Sequence, residues 1–113
     1  MDKKRFNWLN IQKVPDDSGG LYFIWSRNVC VYVGKAERQS LRSRLTQHYS
    51  DSHNAKLKNW ISSSHPLWFS FEIVKNMEAI NAKERNRIKT CAPIANKLLR
   101  KTEAQYGDTS SSI

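Results

Sequence analysis

The sequence is poor in cysteine and contains no long apolar run, and each shortage excludes a class of protein. Its 113 residues include two cysteines, Cys30 and Cys91. Two are too few for a disulfide scaffold, and we interpret them as reduced core residues of a cytoplasmic protein. No apolar run approaches the ~20 residues that a membrane-spanning helix needs. The basic N-terminus leads into residues 6–10, which are not an apolar secretory core, so we expect neither secretion nor a membrane partner.

Acidic residues are also scarce, because ten Asp and Glu face nineteen Lys and Arg and leave a formal net charge of +9. Such an excess of positive charge is either solvated or meets an anionic partner, and nucleic acid is the first candidate. The length is that of one domain. Apolar residues make up 39% of the chain and twelve residues are aromatic, so the chain can build a core and is not expected to be disordered.

No repeat, long linker or low-complexity block divides the chain. We expect an N-terminal arm or helix over residues 1–18, a folded domain over 19–101 and a flexible tail over 102–113. Two β-branched and aromatic runs, 21–25 and 29–33, predict a hairpin that is buried on both faces. The other predicted elements are a helix from Ser40 to about Tyr49, a helix over 54–61, a strand over 67–74, a helix over 77–91 that Pro93 ends, and a short basic helix over 95–101. The order ββααβα predicts an α+β fold with a small three-stranded antiparallel sheet flanked by helices.

The hairpin carries two tyrosines whose relation depends on the length of its loop. A two-residue loop, Arg27-Asn28, would place Tyr22 and Tyr32 on opposite faces of the sheet. A three-residue loop over 26–28 would oppose them directly, and Asn28 suits the left-handed backbone that such a loop requires. Gly34 closes the second strand, which indicates that another backbone or a phosphate approaches it closely.

The helix over 77–91 has a glutamate on its apolar stripe. Met77, Ile80, Ile88 and Cys91 define the stripe, and Glu84 occupies the gap between them. A carboxylate in such a position costs several kcal/mol unless it is paired or binds a metal ion. A structural ion pair and a functional carboxylate fit this pattern equally well.

Other polar residues of these elements suggest what Glu84 would do. Arg44 and His48 lie at i and i+4 on one face of the earlier helix, beside its apolar residues. If they meet Glu84 and the two tyrosines, the group suits phosphodiester hydrolysis. The arginine would neutralise the phosphate, the glutamate would hold a hard divalent cation, and a tyrosine or the histidine would take a proton from water.

Several motifs resemble one family in their order along the chain. Gly20-Leu21-Tyr22 and, ten residues later, Tyr32-Val33-Gly34 resemble the paired motif that names the GIY-YIG endonucleases, with Leu21 and Val33 in place of isoleucines. Residues 32–45 are similar to the nuclease domain of bacterial excision-repair subunits, and residues 44–49 to that of phage homing endonucleases. Glu84 and the run 93–96 continue the resemblance, which covers about residues 19–97. The family fold, a small three-stranded antiparallel sheet with flanking helices, agrees with the predicted elements.

The resemblance also implies roles for individual residues. It gives the catalytic residues as Tyr22, Tyr32, Arg44, His48, Glu84 and Asn96, with Asn96 as a supporting polar residue. Glu84 would ligate one Mg2+ or Mn2+ ion, and Arg44 would stabilise the charge on phosphorus. Residues implied to contact nucleic acid are Gly34, Lys35, Arg38, Arg42, His53, Arg87 and Lys97. Whether the general base is Tyr22, Tyr32 or His48 stays open, because a free tyrosine titrates only near pH ~10.

The expected activity is therefore metal-dependent hydrolysis of DNA by a cytoplasmic or nucleoid-associated enzyme. An RNA nuclease and a catalytically inactive nucleic-acid-binding domain of the same fold are the alternatives. Binding chiefly through phosphates predicts strongly salt-dependent affinity and little sequence discrimination. A chain with one site would cut both strands of a duplex as a homodimer, in successive nicks or with a separate recognition protein.

Overall fold

The computed structural model describes residues 2–96 of the chain. Most of the predicted helix over 95–101 lies outside the described residues. The predicted tail over 102–113 lies outside them as well. None of the helices between residues 2 and 96 is long and apolar enough to cross a membrane. In chain order the elements are β1 (Lys4–Arg5), α1 (Trp8–Ile11), β2 (Gly20–Ser26), β3 (Val29–Ala36), α2 (Leu41–Asp51), α3 (Ala55–Ser62), β4 (Trp68–Ile73), a 3-10 turn (Met77–Ala79) and α4 (Ile80–Cys91).

Helices α2 and α3 begin where short polar side chains cap them. The Ser40 side chain accepts a hydrogen bond from the Ser43 amide at the start of α2, and Asn54 does the same for the Leu57 amide at α3. The predicted helix over 77–91 is confirmed, although its first turn is a 3-10 turn. Its end lies at Ala92, whose left-handed backbone (φ 47°) stops the helix just before Pro93.

The sheet has four antiparallel strands, in the order β1-β4-β2-β3, so the prediction of three strands is wrong. The additional strand is β1, in which Lys4 pairs with Phe69 and Arg5 with Trp68. A two-residue strand is too short to show the alternation of apolar and polar residues on which sequence prediction rests. The α+β class and the flanking helices agree with the prediction.

The hairpin combines a two-residue loop with a β-bulge. Neither the predicted two-residue loop nor the predicted three-residue loop included a bulge. Ser26 pairs with Val29 across the loop, but the register shifts between Ile24, which pairs with Tyr32, and Trp25. The shift reverses the expectation that a two-residue loop separates the tyrosines, because an extra residue moves later side chains to the other face. Tyr22 and Tyr32 therefore share a face. The left-handed loop position belongs to Arg27 (φ 55°) and not to Asn28.

Helices cover both faces of the hairpin and create two apolar clusters, as the sequence predicts. On one face Tyr22 and Ile24 pack among residues of the helical segments α1, α2 and α3, including Ile11, Leu45 and Leu57. The opposite face of the hairpin packs against α4 in a second cluster, whose buried members are Leu21, Phe23, Cys30, Val33, Val74, Ile80 and Ile88. Strand β3 forms one edge of the sheet, and the helices that carry Arg44 and Glu84 flank it from opposite faces.

Candidate active site

A buried ring cluster lies on the α2 side of the hairpin. The hydroxyl of Tyr22, which is 0% exposed, lies 2.7 Å from Nε2 of His48 on α2. The ring of Tyr32 lies 6.1 Å from that of Tyr22 and 5.3 Å from that of His48, measured between centroids. Three of the sequence-predicted catalytic side chains are thus brought together, and β-pairing on one side with helix packing on the other fixes their positions.

Gly34 makes room for this cluster. It pairs directly with Tyr22 across the hairpin, and a Cβ atom at position 34 would overlap with the Cζ atom and the hydroxyl of the Tyr22 ring. The predicted close approach at Gly34 is therefore real, and the approaching group is a side chain of the chain itself. Any larger residue would push Tyr22 away from His48.

The two tyrosines differ in how strongly they retain their protons. Burial, followed by the proximity of Tyr32, raises the pKa of Tyr22 well above its ordinary value, and Arg44 lowers it only in part. The pKa of Tyr32 is raised as well, because burial and the charge of Glu84 outweigh the opposing effects of Arg44 and of the neighbouring Tyr22 hydroxyl. Tyr22 consequently stays protonated, and Tyr32 is the easier of the two to deprotonate.

His48 is neutral at physiological pH. Burial, followed by the nearby charges of Arg44 and His53, lowers its pKa from 6.5 to about 4. Its Nδ1 atom lies 2.9 Å from the hydroxyl of Ser52, which is also buried. Sequence reasoning missed Ser52, and the available signal was a serine one helical turn after the histidine, at the end of α2.

Arg44 supplies positive charge to the cluster. It lies on α2 one turn before His48, half-buried, and its Nη1 atom donates to the Gln47 side-chain oxygen at 3.0 Å. Its charge lowers the pKa of both tyrosines. A guanidinium has five N–H donors, and the bond to Gln47 occupies one of them, so the others can meet Tyr22 or an anionic ligand.

Glu84 lies on α4 in a half-buried position, as its place on the apolar stripe predicts. Burial raises the pKa of its carboxyl group, while Lys35 lowers it and Glu37 raises it again. The charge of Glu84 raises the pKa of Tyr32, so the carboxylate is within electrostatic reach of that tyrosine. Among residues 2–96 it forms no salt bridge, so the interpretation as a structural ion pair is not supported.

The described part of the chain offers a metal ion few protein ligands. Between residues 2 and 96 no group of three or more His, Cys, Asp or Glu side chains could hold an ion. Within this part of the chain, Glu84 is the acidic residue whose charge acts on the pKa of Tyr32. Hard divalent cations such as Mg2+ bind to one or two carboxylates and complete their shell with water and phosphate oxygens, and Glu84 fits that mode.

Asn96 acts on the backbone of β3. Its side-chain oxygen accepts from the Val33 amide at 2.9 Å, and its amide nitrogen donates to the Val33 carbonyl at 2.7 Å. Val33 lies between Tyr32 and Gly34, so Asn96 fixes the backbone that carries the site. This geometry fits the supporting role that the sequence assigns to it.

The residues predicted to contact nucleic acid differ in how free their side chains are. Lys35 donates to the Asn81 side chain and lies 3.5 Å from a Glu37 oxygen. Arg42 donates to the Val14 carbonyl at 2.8 Å, and so ties the N-terminal segment to α2. Arg87 donates two hydrogen bonds to Glu72, each 3.0 Å long. Arg38 and His53 are exposed, and Lys97 lies outside the described residues.

An α+β domain with paired tyrosines, an arginine and a glutamate at the edge of an antiparallel sheet has the architecture of a nuclease-type catalytic domain. The family model described as the GIY-YIG catalytic domain matches residues 18–98. The chain belongs to this family and carries a GIY-YIG endonuclease domain, as its motifs predict.

Solved structures agree with this assignment of the fold. The GIY-YIG N-terminal endonuclease domain of UvrC from Thermotoga maritima, bound to magnesium, is 22% identical, with a TM-score of 0.60, and the match covers 80% of this chain and 99% of that one. A point mutant of the same domain is 20% identical, with a TM-score of 0.60, and its match covers 80% of this chain and 98% of that one. None of the curated protein sequences matches this chain.

Proposed function

We propose that this protein is a divalent-metal-dependent endonuclease that hydrolyses phosphodiester bonds in DNA. The observation that carries the proposal is the packing of Tyr22, Tyr32 and His48 against one another, with Tyr32 in reach of the charges of both Arg44 and Glu84, which alter its pKa. Phosphodiester hydrolysis needs a proton acceptor, a positive charge for the phosphate and a ligand for a hard cation. These residues supply all three, and membership in a family of catalytic domains supports the same function.

The proton acceptor in this proposal is Tyr32. Tyr22 is fully buried, and its hydroxyl already contacts His48. His48 is 5% exposed, and both of its ring nitrogens have partners, so neither residue is open to an attacking water. Tyr32 is only partly buried, and Arg44 and Tyr22 both oppose the rise in its pKa that burial causes. Tyr32 therefore takes the proton from water after losing its own proton to solvent, a loss that the charge of Arg44 favours, while Tyr22 packs beside its ring.

Arg44 neutralises the phosphate in this proposal. Its guanidinium is half-buried beside the tyrosines, where water screens its charge less than at an open surface. The negative charge that develops as water attacks phosphorus is thus met by donors that are already in place. A lysine would provide the charge without the planar set of donors.

We infer that one Mg2+ or Mn2+ ion binds at Glu84. The residue fits because its carboxylate is partly exposed, forms no salt bridge within residues 2–96 and acts electrostatically on Tyr32. The structural neighbour from Thermotoga maritima is described as bound to its catalytic divalent cation, magnesium. When bound, the cation supplies Lewis-acid stabilisation of charge on the phosphate. Within residues 2–96 Glu84 is the carboxylate whose charge acts on Tyr32, which favours one ion over two.

The nucleic-acid chain would run along the β3 edge and be held mainly through its phosphates. Exposed Arg38, together with Lys35 beside Glu84, supplies positive charge there, while Gly34 and His53 lie close to the ring cluster in the fold. Arg42, Arg87 and Lys97 stay in the proposal as outer contacts. A cytoplasmic or nucleoid-associated location, and a homodimer or a separate recognition protein for double-strand cleavage, belong to the same proposal.

Replacement of Glu84 tests the metal-dependent chemistry. We expect Mg2+-dependent nicking of supercoiled plasmid by the wild-type protein and a loss of about 100-fold or more in Glu84→Gln, which keeps the shape but removes the charge. Glu78→Gln is the matched control, because Glu78 is exposed in the 3-10 turn that precedes the same helix. Wild-type cleavage by Glu84→Gln, or full cleavage in excess chelator, would contradict the proposal.

The nature of the substrate needs a separate comparison. We expect the wild-type protein to cleave a DNA duplex faster than an RNA duplex of the same sequence in the same Mg2+ buffer. Faster RNA cleavage would replace DNA by RNA as the substrate. Salt-dependent binding to both duplexes without cleavage in Mg2+ or Mn2+ would identify a binding domain instead.

A further inference from the structure

The hydroxyl of Ser52 lies beneath the ring cluster and belongs to no role described so far. Ser52 is the residue that follows α2, is 5% exposed, and places its Oγ atom 2.9 Å from Nδ1 of His48. The amide of Asn54 donates to the same oxygen at 3.3 Å. Ser52 therefore connects the end of α2 to the start of the next helix and, through His48, to Tyr22.

Counting protons along this path gives the direction of each hydrogen bond. The Asn54 amide occupies one lone pair of the Ser52 oxygen. Within residues 2–96 the acceptor in contact with the Ser52 hydroxyl is Nδ1 of His48. If Nδ1 carried the ring proton, the hydroxyl of this buried serine would have no acceptor, which is costly. The arrangement that satisfies both groups has Ser52 donating to Nδ1.

The direction at Ser52 determines the next two bonds. A neutral imidazole that accepts at Nδ1 carries its proton on Nε2. That proton points to the Tyr22 oxygen, 2.7 Å away, so Tyr22 is an acceptor toward His48. Its own hydroxyl proton is then free to turn toward Tyr32, whose ring centroid lies 6.1 Å from that of Tyr22.

We propose that Ser52 is a positioning residue that fixes the tautomer of His48, so that the hydrogen bonds run from Ser52 through His48 to Tyr22 and leave the Tyr22 proton free to turn toward the neighbouring Tyr32. Its effect on cleavage rests on the proposed function, whereas the tautomer does not. No proton is transferred along the path, because each group keeps its own proton. Without Ser52 the imidazole can adopt the other tautomer, and Tyr22 then donates to His48 and no longer turns its proton toward Tyr32.

None of the charged groups around His48 in residues 2–96 fixes its tautomer, so Ser52 does. Arg44 approaches from α2 itself, and His53 from the segment that follows α2, and both disfavour a protonated ring. Tyr22 and Tyr32 approach from the hairpin and are neutral. A carboxylate often fixes the tautomer of a histidine in an active site. The only groups in contact with Nδ1 and Nε2 here, within residues 2–96, are two hydroxyls.

Nitrogen NMR of the wild-type protein at pH 7 tests the tautomer directly and requires no activity. We expect the Nδ1 atom of His48 to resonate as an unprotonated nitrogen and Nε2 as a protonated one. The opposite assignment would overturn the proposal whether or not the protein cleaves DNA. The expected assignment in a protein that cleaves nothing would leave the tautomer in place and refute the proposed function alone.

Kinetics of three serine variants test the consequence for Tyr32. We expect Ser52→Ala to lower kcat for plasmid nicking by about tenfold with an unchanged KM, as is usual when the group that orients a histidine is lost. Ser52→Thr retains the hydroxyl and should restore kcat, and Ser50→Ala, an exposed change on the same helix, should have no effect. A folded Ser52→Ala protein with the wild-type kcat would show that Ser52 has no positioning role. If Ser52→Ala does not fold, Ser52→Thr provides the test. A Ser52→Thr protein that shows the expected nitrogen assignment but a kcat as low as that of His48→Gln would refute the positioning role of Ser52.

Discussion

Acidification should destabilise this protein through one residue, His48. Its pKa in the folded chain is about 4, and its ordinary value is 6.5. Between these two values the unfolded chain binds a proton at this residue and the folded chain does not. The stability that a neutral, buried His48 contributes is therefore fully present above pH 6.5 and is lost as the pH falls toward 4.

The size of the effect follows from the gap between the two pKa values. Each pH unit in that gap is worth about 1.4 kcal/mol, so the descent from 6.5 to about 4 removes about 3 kcal/mol from the free energy of unfolding. The residue is 5% exposed, so solvent provides little screening. Because small domains are stable by only ~5–15 kcal/mol, this loss is a large share of the total.

Urea unfolding followed by tryptophan fluorescence measures this loss. We compare the free energies of unfolding at pH 7 and pH 4 for the wild type, for His48→Gln and for His65→Gln, in which the replaced histidine is exposed. Carboxylates titrate equally in all three proteins. The wild type and His65→Gln should lose about 3 kcal/mol more than His48→Gln over this range. Equal losses in all three would refute the assignment of His48 as a buried neutral base.

Two further variants test the backbone around the ring cluster. Gly34→Ala should cost about 1–3 kcal/mol of stability, because the added methyl group overlaps with the Tyr22 ring. It should also reduce plasmid nicking by more than the loss of stability explains. Thermal unfolding and plasmid nicking, measured on the same sample, test both effects. Asn96→Ala should cost about 2–4 kcal/mol in urea unfolding, since it leaves the buried amide and carbonyl of Val33 unpaired. An Asn96→Ala protein as stable as the wild type would mean that water replaces both bonds.

The sequence predicts the helices of this fold well, because their signals are local. Ser40 and Asn54 each precede a helix and cap it through their own side chains, and nothing distant is needed to read that pattern. The half-buried Glu84 was predicted in the same way, from one polar residue on an apolar stripe. That it has no salt bridge within residues 2–96 could be learned only from the structure.

Features that depend on pairing between distant segments were not predictable. The β-bulge beside Ile24 changes the register by one residue, and no residue type in the hairpin signals it. Strand β1 exists because β4 has an open edge, which Lys4 and Arg5 do not reveal by themselves. Ser52 resembles any serine after a helix until His48 is seen beside it. In each case the missing information is a neighbour that is remote in sequence or becomes visible only in three dimensions.

Residues 94–96 line the outer edge of β3 in a way that limits how copies of this chain can meet. The Ile94 amide donates to the Cys30 carbonyl and the Ala95 amide to the Val31 carbonyl, while the Asn96 side chain bonds both backbone groups of Val33. An uncovered edge strand is a template onto which another chain can add a strand. Residues 30–33 of the strand that carries Tyr32 are closed to such pairing, so this stretch can face a ligand without joining two molecules edge to edge. A dimer would therefore form through a surface other than this stretch of β3.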